Sequence, residues 1–273
     1  MNDHDLSHLP LGRIQSFSPQ YDPGQLCPVP RSLGREGLGF NAQALPFFGE
    51  DIWNCWELSW LDQSGKPHIA VAELRVAADS PFLVESKSLK LYLNSFNMTP
   101  MDSAEALRDC IAKDVSAVCG TQVQVCLWMP ENFGVLAPAA PLGSCLDTLP
   151  FDRNMPPAPC LLQGDERRSE ALFSRLLRSR CPVTDQPDWA TVQIRYTGRA
   201  ICPESLLRYI VGLREHSGFH ESCVETLFSR ILKSCHPEKL LVSARFTRRG
   251  GIDINPWRST HREEMPNFRD FRQ

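Results

Sequence analysis

Two kinds of apolar pattern follow each other along the chain, strict alternation and recurrence every three or four positions, and their order is run through twice. In the first round, residues 53–62 and 68–78 read as strands joined by a turn at Gln63-Ser64-Gly65-Lys66. Residues 88–97 and 103–120 carry helical spacing, the second through Leu107, Ile111, Val115 and Val118. Val123, Val125, Leu127 and Met129 then alternate along a strand. In the second round, residues 171–181 stay open between strand and helix, whereas Val192, Ile194 and Tyr196 alternate clearly within 190–197. Residues 203–216 and 223–235 have helical spacing, with Val224, Leu227, Phe228, Ile231 and Leu232 on one face of the second. Leu240, Val242, Ala244 and Phe246 alternate again, and Arg249-Gly250-Gly251 turns the chain into a last strand with Ile252 and Ile254.

The two rounds superimpose at an offset of 117 to 120 residues, which lays Arg75 on Arg195, Ser88-Leu89 on Ser205-Leu206 and Val123 on Leu240. Both second helices open on a capping-box pattern, Asp102-x-x-Glu105 and Ser222-x-x-Glu225. The second box predicts that His220 and Glu221 lie in the loop ahead of its helix. An internal duplication of a strand-strand-helix-helix-strand-strand unit follows, an α+β fold. Residues 1–50, rich in Pro and Gly, read as a segment that wraps over the core, and residues 51–130 as the first module. Residues 131–165 read as a Pro-rich connection, and residues 166–273 as the second module.

Composition narrows the class. Of 273 residues, 42% are hydrophobic and 22% charged, the balance of a soluble globular protein. A net charge of −3 argues against direct nucleic-acid binding, which needs a basic surface. No apolar run approaches the ~20 residues of a membrane span, and the first residues lack the basic-then-apolar pattern of a secretion signal. The eleven cysteines come no closer than seven positions, at Cys119 and Cys126, so thiolate zinc sites and iron–sulfur clusters have no support. Reduced thiols in a cytoplasmic protein are expected. His220-Glu221-Ser222-Cys223 approaches the zinc motif H-E-x-x-H, but Val224 stands where the second histidine belongs, and no metal is expected. Gly34, Gly37 and Gly39 follow no strand, which excludes a Rossmann dinucleotide fingerprint.

Four segments carry candidate chemistry. Cys181 sits in Arg180-Cys181-Pro182-Val183-Thr184-Asp185-Gln186-Pro187-Asp188-Trp189. It reads either as an accessible thiol whose thiolate Arg180 favours and whose reaction centre Asp188 serves with a proton, or as a packed cysteine before a Pro-rich turn. His220 and Glu221 are binding groups at a helix entrance, or a backbone-bonded imidazole and an acid favoured by the helix dipole. Glu85-Ser86-Lys87-Ser88 suits an anion and a heterocycle's N–H donors, or plain helix capping. Thr247-Arg248-Arg249-Gly250-Gly251 is a basic turn that grips phosphate or is simply solvated.

Together, Glu85-Ser86-Lys87-Ser88-Leu89-Lys90, the run from Cys181 to Trp189, Phe219-His220-Glu221 and Arg249-Gly250-Gly251-Ile252-Asp253 resemble the QueF family, the NADPH-dependent 7-cyano-7-deazaguanine reductases of queuosine biosynthesis, in its longer two-module branch. The resemblance implies duplicated tunnelling-fold units, each an antiparallel sheet backed by two helices. It implies that Cys181 adds to the nitrile carbon to give a thioimide, that Asp188 handles the proton, and that two successive NADPH molecules deliver hydride to give the primary amine. Carried over residue by residue, it implies that Val84, Glu85, Ser86, His220 and Glu221 contact the deazaguanine, while Ser86, Lys87, Arg249 and Gly250 contact NADPH. Neither module holds all of these residues, so a full site needs both, and a homodimer is expected. Two other readings stand beside it: a pterin- or purine-converting cyclohydrolase on the same fold, and a non-catalytic module that binds a guanine-like base.

Overall fold

Branched and aromatic residues at alternate positions favour the long antiparallel hairpins on which the chain is built. A computed structural model describes residues 18–41, 44–152, 154 and 162–273. In chain order the elements are β1 (Pro28–Pro30), α1 (Arg31–Arg35), β2 (Phe48–Leu61), β3 (Pro67–Ala77), β4 (Phe82–Val84), α2 (Ser86–Asn94), α3 (Ala104–Cys119) and β5 (Gln124–Trp128). They continue with β6 (Ser144–Cys145), β7 (Leu162–Arg180), β8 (Pro187–Ile201), α4 (Pro203–Gly212), α5 (His220–Cys235), β9 (Lys239–Phe246) and β10 (Ile252–Ser259). The chain divides into two compact units. The first takes the residues up to Leu33, Asp51–Ala137 and Arg248–Ile254; the second takes Gly34–Glu50, Pro138–Thr247 and Asn255–Gln273.

In the first unit the strands run in the order β5-β3-β2, with the start of β10 beside β2. Strand β3 pairs antiparallel with β5, from Val71 opposite Trp128 to Arg75 opposite Gln124. Helices α2 and α3 bury Leu89, Tyr92, Leu107, Ile111 and Val115 in one cluster with Trp53, Leu58 and Leu74 of the sheet. Apolar burial of this kind contributes about 25 cal/mol per Å² and is the main force closing the unit. Ser103, not Asp102, caps α3, accepting from the Ala106 N–H, and Gly120 ends it in the left-handed conformation. Asp102 instead accepts from Gln63 Nε2 of the β2–β3 turn, at 2.7 Å. Strand β1 pairs with β4, and the buried Arg31 reaches Asp51 at 2.6 Å and Ser80 at 2.8 Å.

In the second unit the order is β10-β9-β8-β7-β6, antiparallel except for the short β6. The ambiguous stretch at 171–181 is strand: β7 pairs with β8 down to Ser179 opposite Asp188 and Arg180 opposite Pro187. Helices α4 and α5 bury Leu206, Ile210, Val224, Leu227, Phe228 and Ile231, and Val192, Ile194, Val242 and Ala244 are buried on the sheet. Helix α5 begins three residues earlier than the capping box predicts. Its N-cap is Phe219, which makes no side-chain cap bond, and Ser222 lies in the first turn, donating to the Phe219 carbonyl at 2.9 Å. His220 and Glu221 are therefore helical. Each unit is an antiparallel sheet backed by two helices, built in the same strand-strand-helix-helix-strand order; this is the α+β architecture of duplicated tunnelling-fold units.

One buried ionic cluster holds the second unit. Glu225 accepts from Arg258 Nε and Nη2 at 2.9 and 2.8 Å and from Arg35 Nε and Nη2 at 2.8 Å each. Both guanidinium groups also lie over the Phe47 ring, at 5.4 and 5.6 Å. Burial pushes the Glu225 carboxyl up, but the charges and hydrogen bonds of Arg258 and Arg35 outweigh it and leave the group below its ordinary value. Removing one partner strands the other charges in a dry environment, so Arg258→Met should lower stability by about 3–5 kcal/mol in denaturant unfolding.

Candidate active site

The turn between β7 and β8 is closed by its own backbone. The Cys181 N–H donates to the Gln186 carbonyl at 2.9 Å, and the Asp185 N–H donates to the Cys181 carbonyl at 3.0 Å. Asp185 takes a positive φ of 56°, a conformation that aspartate tolerates better than most residues. The strand end is tied to the loop before α5: Arg180 N–H donates to the His216 carbonyl at 2.9 Å, and Gly218 N–H donates to the Arg180 carbonyl at 3.1 Å. A Cβ at Gly218 would meet Ser222 Oγ at 2.6 Å and His216 Nε2 at 2.8 Å, so a larger residue here would displace those two side chains.

Cys181 is not the accessible thiol that its Pro-bounded loop predicts; only 4% of it is exposed. The reason is strand parity. Leu177 and Ser179 are buried on the inward side of β7, Cys181 keeps the same parity in the first position after the strand, and Arg178 and Arg180 alternate outward. The Arg180 guanidinium is directed at Asp185 Oδ1 and at the Glu215 carbonyl, both at 3.3 Å.

Asp188, at the start of β8, is equally buried, and its Oδ2 lies 3.5 Å from His220 Nε2. That separation is just beyond a hydrogen bond, and His220 Nε2 has no hydrogen-bond partner among the described residues. The imidazole instead lies against the Phe246 ring, with centroids 4.0 Å apart and planes tilted by 40°. Glu221, 4% exposed, sits in the first turn of α5, where the helix dipole favours a carboxylate. The neighbouring Cys223 is unsuited to nucleophilic work: burial pushes its thiol up to about 12, opposed by a Ser179 contact and reinforced by the Asp188 charge.

The first unit places the other candidate residues. Glu85 is the N-cap of α2, with Oε1 accepting from Lys87 N–H at 2.9 Å and Oε2 from Ser88 N–H at 2.7 Å. Its own N–H donates to the Cys27 carbonyl, and Ser88 Oγ accepts from the Cys27 N–H, so the segment before β1 braces the helix start. Burial raises the Glu85 pKa and the two backbone donors oppose that rise. Oε1 also accepts from Ser86 Oγ at 3.5 Å, whereas Oε2 accepts once and carries a second lone pair. Val84, 3% exposed, ends β4 immediately before it, and Ser86 and Lys87 open the helix.

A shallow cleft lies in the same unit, lined by Glu57, Lys90, Asn94, Gly250 and Gly251 among others. Lys90 Nζ donates to Glu57 Oε2 at 3.3 Å. Gly250 and Gly251 take φ of 59° and 81°, and a Cβ on Gly251 would fall 2.3 Å from Glu57 Cδ. Arg248 lies over the Trp56 ring at 4.2 Å. The cationic donors of this unit, Lys87, Lys90, Arg248 and Arg249, with a glycine turn that keeps side chains out of the way, have the chemistry to hold an anionic dinucleotide. Glu57 and Phe246 escaped the sequence reading, because one looks like a solvated strand residue and the other like plain core.

A buried thiol and a buried acid flank one turn on a duplicated sheet-and-helix architecture, an arrangement with the chemistry for attack on an electrophilic carbon. Residues 17–127 match the family described as nitrile reductase, 7-cyano-7-deazaguanine-reductase N-term, and residues 187–265 match the one described as QueF-like protein. The NADPH-dependent 7-cyano-7-deazaguanine reductase of Desulfotalea psychrophila is 49% identical over 277 residues, covering all of both chains. The enzymes of that name from Burkholderia lata and Bordetella pertussis are 52% and 51% identical, covering 97% and 96% of this chain and 98% and 96% of theirs. The chain belongs to the QueF family of nitrile reductases.

His216 supplies a pH test of the loop that pins Arg180. Burial lowers its pKa from 6.5, and its Nε2 has no hydrogen-bond partner among the described residues. A histidine whose folded pKa is depressed contributes stability that is present above its unfolded pKa and is lost as pH falls through the folded value. As pH falls below about 6.5, melting temperature should therefore fall more steeply in the wild type than in His216→Gln.

Proposed function

We propose that this chain reduces the nitrile of 7-cyano-7-deazaguanine to the primary amine 7-aminomethyl-7-deazaguanine, an oxidoreductase step in tRNA queuosine biosynthesis in the cytoplasm. The observation that carries the reading is the β7–β8 turn, with Cys181 at one end and Asp188, facing His220, at the other. Cys181 Sγ forms a bond to the nitrile carbon, one π bond of the nitrile opens onto nitrogen, and that nitrogen takes a proton from Asp188. The product of this step is a thioimide held by the protein. NADPH supplies hydride, two equivalents per nitrile, and no metal takes part. A soft thiolate suits the nitrile carbon, and a carboxyl group beside the reaction centre can pass a proton to the reacting nitrogen.

Val84, Glu85, Ser86, His220 and Glu221 bind the deazaguanine in this reading. The two carboxylates accept from its ring N–H and exocyclic amine, which bases lacking those donors cannot satisfy. Ser86, Lys87, Arg249 and Gly250 hold the cofactor, and the working form is a homodimer. Family membership favours neither the cyclohydrolase reading nor the non-catalytic one.

Cys181→Ala should abolish both the nitrile adduct, read by intact-protein mass, and turnover, while Cys223→Ala keeps the adduct; an adduct surviving in the Cys181 variant contradicts the mechanism. Asp188→Asn should bind the nitrile with little loss but reduce it about 10²-fold more slowly. Glu85→Gln and Glu221→Gln should each weaken nitrile binding by about 1–3 kcal/mol and leave NADPH binding unchanged, as titration calorimetry would show.

A further inference from the structure

We infer that Phe246 is a positioning residue of the reaction: its ring holds the His220 imidazole with Nε2 toward Asp188, and Gln273 braces the strand end that carries it. The inference rests on the proposed function, in which His220 and Asp188 serve the same substrate.

The ring of a histidine turns over a broad range unless something fixes it. No hydrogen bond to Nε2 does so here, because that nitrogen has no partner among the described residues and the nearest carboxylate oxygen, Asp188 Oδ2, stands off at 3.5 Å. What fixes the ring is its contact with Phe246, centroid to centroid 4.0 Å with the planes tilted by 40°. Phe246 is fully buried at the end of β9 and stands opposite Ala190 in the β8–β9 ladder. Ala190 lies two positions beyond Asp188 on the same strand, so both point to one face of the sheet. Strand pairing therefore carries the acid and the aromatic wall together, and His220 is brought to them by α5.

The end of β9 is held from two directions. Thr247 N–H donates to the Trp189 carbonyl at 2.8 Å on the β8 side. On the other side Gln273 Nε2 donates to the Phe246 carbonyl at 2.9 Å and to Asn255 Oδ1 of β10 at 2.6 Å. Gln273 is itself fixed, since its Oε1 accepts from the Asp270 N–H at 2.9 Å and it is 8% exposed. Its amide thus ties β9 to β10 at the residue against which His220 rests.

The test is Phe246→Leu, which keeps apolar volume and removes the flat face. In the wild type the His220 ring protons, assigned by comparison with His220→Gln, should resonate upfield in the ring current of Phe246. In Phe246→Leu they should move to unstacked positions while the other histidines stay put. The kcat of NADPH-dependent nitrile reduction should fall about 10-fold with KM for NADPH unchanged. Gln273→Ala should shift the same resonances less and lower kcat about 3-fold, and it decides the matter if Phe246→Leu does not fold. Unmoved His220 resonances, or moved resonances with unchanged kcat, would overturn the inference. A wild-type chain that consumes no NADPH with the nitrile would overturn the proposed function and this inference with it. That failure is told apart because it shows in the wild type, whereas failure of the inference shows only in the variants.

Discussion

Pairing of β7 with β8 is the constraint from which the rest of the candidate site follows. The ladder that sets Ser179 opposite Asp188 leaves a six-residue turn, Cys181 to Gln186, whose backbone closes on itself. Both ends of that turn are fixed by main-chain bonds, so the positions of the thiol and the acid do not depend on loop flexibility. The same ladder continues into β8–β9 pairing and sets Phe246 beside the acid, while Arg180 ties the turn to the loop ahead of α5. A slip of one residue anywhere in β7 would turn Cys181 outward and bring an arginine in.

Much of this was legible in the residues. Val192, Ile194 and Tyr196, or Leu240 to Phe246, alternate because one face of each strand packs on helices, and the strands stand where the alternation lies. The stretch at 171–181 was ambiguous for a physical reason. A register shift between Ser174 and Leu177 breaks the two-residue period, so Leu172, Phe173 and Ser174 are buried in succession before alternation resumes at Leu177. A broken period mimics helical spacing. The start of α5 was misjudged because Ser222-x-x-Glu225 has the form of a capping box, yet Glu225 is turned into the unit by Arg35 and Arg258, and the helix extends back to His220. Those two arginines lie 190 positions before Glu225 and 33 after it, and no local pattern announces them.

Two kinds of buried polar group can be told apart by how they are satisfied. Glu225 accepts four charge-assisted hydrogen bonds and is a structural group, costly to disturb and closed to ligands. His220 Nε2 is buried with no such bond, an arrangement that costs stability and that a substrate can relieve. Glu85 falls between them, capping α2 with both oxygens while Oε2, which accepts only once, keeps a lone pair. The resemblance to a known family implies binding roles for His220 and Glu85; their hydrogen bonding sets them apart from the fully engaged Glu225.

The central claim is that this chain turns a nitrile into an amine with two hydrides taken from NADPH. The most direct measurement is stoichiometric: NADPH oxidised, followed by its absorbance, against primary amine formed from 7-cyano-7-deazaguanine in the same vessel. The account predicts two NADPH consumed for every amine produced, with no partly reduced product released. No oxidation of NADPH in the presence of the nitrile, or a ratio of one with an imine or aldehyde accumulating, would contradict it.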